Sequence, residues 1–183
     1  MSEVFPLAKV GQPAPGFGLK AISGHETVSA SLSDYRGRWL VLFFYPYDFS
    51  IVCPTEIIAL SDHFADFAAL GADILGVSTD SLYAHRAWLN TPREDNGIAE
   101  VCFPLASDIT KQTSRDYGIL DEQEGVALRG LFIIDDEGVL QYSVTHNLNI
   151  GRSVEETLRV LEALQAGGLC ASDWKPGQKT LSS

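Results

Sequence analysis

Residues 39–77 read WLVLFFYPYDFSIVCPTEIIALSDHFADFAALGADILGV, and this stretch decides the fold class. The apolar run 39–45 lacks polar alternation, which predicts a central strand covered on both faces. Pro54 suits the first turn of a helix, and apolar residues follow it at helical spacing until Gly71. Residues 72–77 form a second apolar run of strand length. The stretch therefore predicts a strand–helix–strand unit in a parallel or mixed sheet.

Strands and helices also alternate in the flanking sequence. One hairpin is predicted over residues 17–28, and a second joins strands 128–134 and 139–145. Shorter elements are predicted at residues 31–35, 82–90, 103–106 and 110–117, and a final helix opens with a capping box at 153–156. Together these patterns predict an α/β fold with a central mixed β-sheet flanked by helices.

The composition is that of one soluble domain. The chain has 183 residues, 45% hydrophobic and 20% charged, which excludes bulk disorder and allows a core without metal or disulfide support. Thirteen basic and 24 acidic side chains give a net charge of −11, which disfavours binding to nucleic acid or anionic membranes. No apolar run approaches the ~18 residues of a membrane helix. Residues 1–6 lack the features of a signal peptide, so we expect a cytoplasmic protein.

The three cysteines, Cys53, Cys102 and Cys170, lie far apart and form no C-x-x-C pair. None has a histidine at zinc-like spacing, so we expect no metal site. Cys102 lies in the apolar segment 101–104, which predicts a buried core residue. An isolated cysteine in a reducing compartment is either a buried structural residue or a reactive one. The sequence around each cysteine has to distinguish the two.

Cys53 lies between the predicted central strand and the first long helix. Ligands of doubly wound sheets usually bind beyond the carboxyl ends of the strands. A helix N-terminus favours an anion, and the nucleophilic form of a thiol is the thiolate. Ser50 can offer a hydroxyl to that thiolate or to a bound oxygen, and Pro46 can shield the pocket. Position alone leaves a buried structural cysteine as an equal alternative.

Residues 44–56, FYPYDFSIVCPTE, resemble the active-site segment of the peroxiredoxins. The family pattern has Pro, Ser or Thr, and Cys at fixed spacing, which here gives Pro46, Ser50 and Cys53. Further segments are similar to the typical two-cysteine subfamily, which includes the peroxidase subunits of bacterial alkyl hydroperoxide reductases: residues 88–92, 128–135 and 170–177. They follow in the family's order, and the similarity spans nearly the whole chain. The resemblance implies a thioredoxin-like fold and a thiol-dependent peroxidase.

The resemblance also implies a role for individual residues. Cys53 would be the peroxidatic cysteine, which attacks hydrogen peroxide or an organic hydroperoxide, becomes a sulfenic acid and releases water or an alcohol. Arg129 matches an active-site arginine that would hold Cys53 as a thiolate and stabilise the departing oxygen. Glu56 matches a glutamate that orients this arginine. Ser50 would hydrogen-bond the peroxide, and Pro46 would screen the sulfenic acid. Such chemistry needs no metal and no cofactor, and it gives the four histidines no catalytic role.

Cys170 lies on a polar tail, residues 169–183, which follows a peroxiredoxin-like domain predicted over residues 1–168. The resemblance implies that Cys170 is the resolving cysteine, which attacks Cys53 of the partner subunit and forms an intersubunit disulfide. A homodimer is then the minimal active unit, and such dimers often assemble into rings of ten. Thioredoxin or a dedicated flavoprotein disulfide reductase would reduce the disulfide.

The chain departs from many eukaryotic members at two places. Residues 93–98, REDNGI, stand where those members carry Gly-Gly-Leu-Gly, and residues 178–183 end the chain without their final Tyr-Phe helix. Both features slow local unfolding around the peroxidatic cysteine, so the resemblance implies faster disulfide formation and less over-oxidation here. Two other functions stay open, a holdase chaperone and a peroxide sensor that relays oxidation to a partner. The absence of C-x-x-C argues against a third, a disulfide reductase.

Overall fold

The structure is a computed structural model that describes residues 7–181. These residues form nine strands: β1 (Gly18–Ser23), β2 (Glu26–Ser31), β3 (Trp39–Phe44), β4 (Ala72–Ser78), β5 (Leu105–Ser107), β6 (Leu120–Asp121), β7 (Val126–Ala127), β8 (Arg129–Ile134) and β9 (Leu140–His146). They also form five α-helices: α1 (Val52–Asp62), α2 (Phe64–Ala69), α3 (Leu82–Leu89), α4 (Gln112–Asp116) and α5 (Val154–Ala166). Short 3-10 turns occur at Leu32–Tyr35 and Arg93–Asp95.

Seven strands form one mixed sheet in the order β2-β1-β5-β4-β3-β8-β9. β3 pairs in parallel with β4, and β4 with β5, whereas the other neighbours are antiparallel. β6 and β7 form a separate two-stranded ribbon. The predicted α/β class and central mixed sheet are therefore confirmed, including the parallel pair that the stretch 39–77 indicates.

The central strand β3 is buried on both faces, as its apolar sequence predicts. Because successive side chains of a strand point to opposite faces, its residues divide between two cores. Val41 and Phe43 pack in the core that α1, α2, α3 and α5 cover. Leu40 and Leu42 pack in the opposite core together with Tyr117, which follows α4. The end of β3 thus lies between two packed layers, and α1 starts from the loop that follows it.

The helix predicted between Pro54 and Gly71 differs in its bounds. It begins at Val52, so that Pro54 lies in the first turn, and it breaks at His63 into α1 and α2. His63 leaves helical geometry (φ −98°, ψ 11°), and its Nδ1 lies 2.8 Å from the Asp66 carboxylate. α1 is therefore a separate helix of 11 residues, with Cys53 at its start.

Serine side chains cap helices α3 and α5, and the capping box predicted for α5 is present only in part. Ser81 caps α3 by accepting the Ala84 N–H at 3.2 Å. Ser153 likewise caps α5 by accepting the Glu156 N–H at 3.2 Å, but the Glu156 carboxylate pairs with Arg159. The predicted capping box is thus half formed, because a cation one turn away competes for the carboxylate.

Cys102 is exposed, so the prediction of a buried core residue is wrong. Its neighbours Val101 and Phe103 are both buried. Burial alternates along residues 101–103, and Cys102 is the residue that faces solvent between two inward-facing side chains. The Cys102 N–H donates to Ser61 Oγ at 3.1 Å, which fixes the backbone in this orientation.

The segment after α5 packs back against that helix. Trp174 is buried, and its carbonyl accepts a hydrogen bond from Arg159 Nη1 at 3.0 Å. Cys170 is half-buried on the same segment. The described part of the chain excludes residues 1–6 and residues 182–183 of the tail. The prediction that residues 1–6 are no signal peptide therefore lies outside the described residues. Among residues 7–181, the structure contains no helix with the length and apolar character needed to span a bilayer.

Candidate active site

Cys53 lies in the first turn of α1, just after the loop that leaves the carboxyl end of β3. The residue has no accessible surface and packs in the core cluster that also contains Tyr45 and Ile57. The helix N-terminus contributes a partial positive charge at this position. The protonation and reactivity of such a buried thiol depend on the charged groups around it.

Arg129 is the first residue of β8, and its side chain is 3% exposed. The antiparallel pairing of β3 with β8 brings the start of β8 to the end of β3, where α1 begins. Arg129 Nη1 donates to Cys53 Sγ at 3.3 Å and to Glu56 Oε2 at 2.6 Å. Its Nε donates to the Leu148 carbonyl at 2.7 Å. The guanidinium is therefore held from both sides, with one nitrogen against the sulfur.

Glu56 lies one turn after Cys53, and residues three apart are neighbours on a helix surface. Its buried carboxylate bridges two arginines, because Oε1 accepts the Arg152 backbone N–H at 2.8 Å and the Arg152 Nε–H at 2.7 Å. Burial by itself raises the pKa of Glu56, but the hydrogen bonds and charges of Arg152 and Arg129 outweigh it and hold that pKa below its ordinary value. Glu56 is therefore an anion that fixes both guanidinium groups.

Arg152 is a site residue that sequence reasoning missed. Its side chain is 5% exposed, and its guanidinium carbon lies 5.4 Å from the centre of the Phe43 ring. Nη1 donates to the Gly130 carbonyl, whereas Nη2 has no hydrogen-bond partner within residues 7–181. The one sequence signal is its position directly before the Ser153 cap, which fixes the backbone of residue 152 at the start of α5.

The cluster around Cys53 carries an excess of positive charge. Arg129 and Arg152 supply two guanidinium groups, and Glu56 supplies one carboxylate. One positive charge is left over in a place that water hardly reaches, 3.3 Å from the sulfur. An unpaired buried charge is costly, so the cluster is suited to hold one more anionic group beside Arg129.

The other residues predicted for the site are less closely tied to the sulfur. Pro46 is buried and lies two residues after the end of β3. Ser50 Oγ donates to the Tyr47 carbonyl at 3.1 Å, so in this conformation its hydroxyl closes the loop and does not bond Cys53. Cys170 Sγ faces a backbone carbonyl of α5 at 3.6 Å. Across residues 7–181, no group of three or more His, Cys, Asp or Glu side chains could hold a metal ion.

Comparison with known proteins connects this geometry to a family. A sequence model of the AhpC/TSA family matches residues 10–143. The chain belongs to the AhpC/TSA family. It is 54% identical over 175 residues to a protein named putative peroxiredoxin YkuU from Bacillus subtilis, a match that covers 94% of this chain and 97% of that protein. Peroxiredoxin-2 of Rattus norvegicus is 50% identical over 178 residues, or 95% of this chain and 90% of the relative.

Solved structures agree with this assignment to the AhpC/TSA family. The crystal structure of reduced 2-Cys peroxiredoxin from Plasmodium vivax is similar with a TM-score of 0.90 and 39% identity, covering 93% of this chain and 91% of that one. The predicted thioredoxin-like fold and the resemblance to peroxiredoxins are therefore confirmed. With peroxiredoxin relatives matched over nearly its whole length, this AhpC/TSA family member is an enzyme with peroxidase activity.

A second buried polar network in this AhpC/TSA family member also escaped sequence reasoning. Asp48 Oδ2 and His85 Nδ1 are 2.7 Å apart, and the Tyr45 hydroxyl donates to Asp48 Oδ1 at 2.9 Å. His85 Nε2 lies 3.1 Å from the Ala106 carbonyl, which only accepts, so Nε2 donates there and Nδ1 faces Asp48. Burial raises the pKa of Asp48, against the lowering effect of His85. The pair ties the loop before α1 to α3 and β5.

Proposed function

We propose that this chain is a two-cysteine thiol peroxidase in which Cys53 reduces hydrogen peroxide and organic hydroperoxides, ROOH. The observation that carries the proposal is the contact between Cys53 Sγ and Arg129 Nη1 at 3.3 Å, within a cluster that holds one positive charge in excess. Such a cluster accommodates a thiolate, which is the nucleophile that this reaction needs. Membership of the AhpC/TSA family supports the same chemistry.

In the first step, the Cys53 thiolate attacks the distal oxygen of ROOH. The S–O bond forms as the O–O bond breaks, so the sulfur is oxidised by two electrons to a sulfenic acid while the peroxide is reduced. The leaving RO⁻ takes a proton and departs as an alcohol, or as water when R is hydrogen. Arg129, oriented by Glu56, stabilises the negative charge as it moves from sulfur to the departing oxygen. In this proposal the Ser50 hydroxyl bonds the peroxide and Pro46 shields the sulfenic acid.

In the second step, the partner subunit's Cys170 attacks the Cys53 sulfenic acid as a thiolate. A disulfide forms, and the sulfenic oxygen leaves as hydroxide, which takes a proton and becomes water. Cys53 has no accessible surface and Cys170 is half-buried against α5, so both segments have to move. We propose that a domain over residues 1–168 provides the peroxidatic site and that the tail 169–183 provides the resolving thiol. The homodimer is then the minimal active unit, and a decamer is a larger assembly of it.

Thioredoxin or a flavoprotein disulfide reductase completes the cycle by reducing the disulfide to two thiols. The electrons come from NAD(P)H through that reductant, so each turnover consumes one ROOH and one NAD(P)H. The cytoplasmic location expected from the sequence suits this cycle, because reductants there keep thiols reduced. A coupled assay that follows NADPH oxidation, with purified thioredoxin and thioredoxin reductase, tests this reductant directly.

The test of the two-cysteine mechanism is non-reducing gel electrophoresis after one equivalent of hydrogen peroxide. We expect a disulfide-linked dimer band for wild type that Cys53→Ser and Cys170→Ser both lack. Cys102→Ser is the matched control, because Cys102 is an exposed thiol without a role in the mechanism, and it should form the dimer as wild type does.

Other outcomes would contradict separate parts of the proposal. Peroxide consumption by Cys53→Ser at the wild-type rate would exclude Cys53 as the peroxidatic residue. A monomer in every lane with normal peroxide consumption would exclude the intersubunit bridge. Peptide mass spectrometry of that sample would then distinguish an intramolecular disulfide from a persistent sulfenic acid on Cys53, which a peroxide sensor would show.

A further inference from the structure

Asn96 connects the loop before Cys53 to helix α3 through two hydrogen bonds. Its side-chain Nδ2 donates to the Ser50 carbonyl at 3.0 Å, and its own carbonyl accepts the Trp88 indole N–H at 2.9 Å. Asn96 has φ 60°, a left-handed conformation that glycine, asparagine and aspartate adopt most readily. It lies in the segment 93–98, and a glycine in its place would keep this backbone but lose the amide donor.

The loop that Asn96 contacts is held in a strained conformation. Phe49 has φ 54°, which is unfavourable for a bulky side chain and persists only where the surroundings impose it. The Phe49 ring packs against Trp88, with ring centres 5.8 Å apart. The next carbonyl along the chain, that of Ser50, accepts the Asn96 amide. Release of the strain favours opening of the loop, and these contacts oppose it.

The segment that carries Asn96 is itself anchored to its surroundings. Arg93 Nη1 pairs with Asp62 Oδ1 at 3.0 Å, at the far end of α1. Gly97 packs so closely that a Cβ there would lie 1.9 Å from the Thr91 carbonyl oxygen. Because the segment cannot shift without losing these contacts, Asn96 presents its amide from a fixed support.

We propose that Asn96 is a positioning residue that holds the turn 49–53 closed and so sets how often Cys53 becomes exposed. The inference rests on the proposed function, in which the sulfur has to leave its cluster for the resolving step. Cys53 has no accessible surface in the closed form, so a thiol of another subunit reaches it only after the turn opens. The bond to Ser50 is neutral and solvent-exposed, so its loss should raise the open fraction about two- to tenfold.

Two variants remove the amide donor and retain the left-handed backbone. Asn96→Asp is isosteric, and its carboxylate sets an acceptor against the Ser50 carbonyl. Asn96→Gly removes the side chain without adding charge. Both keep the main-chain carbonyl that accepts the Trp88 N–H. Asn90→Asp is the matched control, since it adds the same charge at an exposed position at the end of α3.

The first readout is the rate at which iodoacetamide alkylates Cys53 in the reduced protein, followed by peptide mass spectrometry without peroxide. We expect both Asn96 variants to react about two- to tenfold faster than wild type, and Asn90→Asp to match wild type. The exposed thiol of Cys102 is an internal reference, because its alkylation does not depend on the turn. Equal Cys53 rates in wild type and both variants would overturn the proposal. So would a rise confined to Asn96→Asp, since added charge alone would explain it.

The second readout is the partition of oxidised Cys53 between disulfide and sulfinic acid under excess peroxide. A turn that opens more often forms the disulfide sooner, so the sulfinic fraction per turnover should fall by a similar factor in both Asn96 variants. The free energy of urea unfolding should fall in both Asn96 variants by no more than RT times the logarithm of their increase in alkylation rate, because the same bond is lost in both processes. A larger fall would mean that general destabilisation, and not loss of the bond to Ser50, exposes Cys53. An unchanged partition despite faster alkylation would overturn the catalytic part of the inference. A wild-type protein that forms no peroxide-dependent disulfide would instead refute the proposed function, and the alkylation rates would still decide whether Asn96 holds the turn.

Discussion

Glu56→Gln tests the charge balance at the centre of the candidate site. Glutamine has the same shape, but it removes the negative charge that Arg129 and Arg152 share at distances of 2.6–2.8 Å. The Glu56 side chain is 4% exposed, so water cannot replace the lost carboxylate. Removing one partner of a buried ion pair costs about 3–5 kcal/mol, because the remaining charge stays buried without compensation. We expect the free energy of unfolding to fall by that amount near neutral pH.

The loss of unfolding free energy in Glu56→Gln should depend on pH, and the pKa of Glu56 determines the direction of this dependence. The two arginines hold the folded-state pKa below the ordinary value of 4.5. The carboxylate therefore contributes stability that is fully present above the unfolded-state pKa and is lost as the pH falls through the folded-state pKa. Wild type and Glu56→Gln should accordingly differ most near neutral pH, and their unfolding free energies should converge in acid.

Urea unfolding followed by tryptophan fluorescence, repeated from neutral pH into acid, measures both effects. Glu137→Gln is the matched control, because Glu137 is exposed in the turn between β8 and β9, and it should change stability by less than about 0.5 kcal/mol. The charge argument would be refuted if Glu56→Gln lost no more unfolding free energy at neutral pH than the Glu137→Gln control. A large loss that stays constant into acid would also refute it, because packing and not ionisation would then be its cause.

Three further changes test other parts of the molecule. Arg129→Lys keeps a charge but loses the fixed fork, so the second-order rate constant for peroxide in stopped-flow measurements should fall about 100-fold, and an unchanged constant would contradict its role. Cys170→Ser should consume about one equivalent of peroxide, accumulate sulfenic acid and lose thioredoxin-driven NADPH oxidation, whereas wild-type turnover would exclude it as the resolving residue. Gly97→Ala forces a Cβ to within 1.9 Å of a backbone oxygen, so thermal unfolding should show a loss of about 1–3 kcal/mol or more. Gly16→Ala meets no atom within 4 Å and should be neutral, and equal losses in the two glycine variants would contradict the packing argument.

The features predicted best from sequence are those whose neighbours in space are also close along the chain. A half-exposed strand would alternate polar and apolar residues, so the uninterrupted run 39–45 predicts burial on both faces, which the structure confirms for Leu40 to Tyr45. Cys53 and Glu56 are three residues apart at the start of a helix, so their placement on one turn is also local information. The β6–β7 ribbon has two residues in each strand, too few to leave a periodic pattern.

Long-range polar partners leave no comparable local signal. Arg152 reaches Glu56 across 96 residues, and His85 reaches Asp48 across 37. Each of these residues lies in a sequence that fits a solvent-exposed helix start, helix face or loop. They become buried only because α3 and α5 pack against the core that contains Val41 and Phe43. Arg129 could be predicted as a site residue only because its segment resembles a family pattern. That pattern carries information about related proteins and not about the local physical chemistry of the segment.

Charge balance connects the chemistry of Cys53 to the opening of its turn. As a thiolate, the sulfur offsets the positive charge that Arg129, Arg152 and Glu56 leave over at side chains only 3–5% exposed. A sulfenic acid carries less negative charge than a thiolate. In the proposed reaction its formation therefore leaves the buried positive charge uncompensated, which destabilises the closed conformation of the turn at the step when the resolving thiol has to reach Cys53. Glu56→Gln adds a further unit of excess charge. The serine of Cys53→Ser carries a neutral hydroxyl, which cannot offset that charge. Glu56→Gln should therefore lower the free energy of unfolding more in a Cys53→Ser background than in the reduced wild type. Equal losses in the two backgrounds would show that the sulfur takes no part in the charge balance.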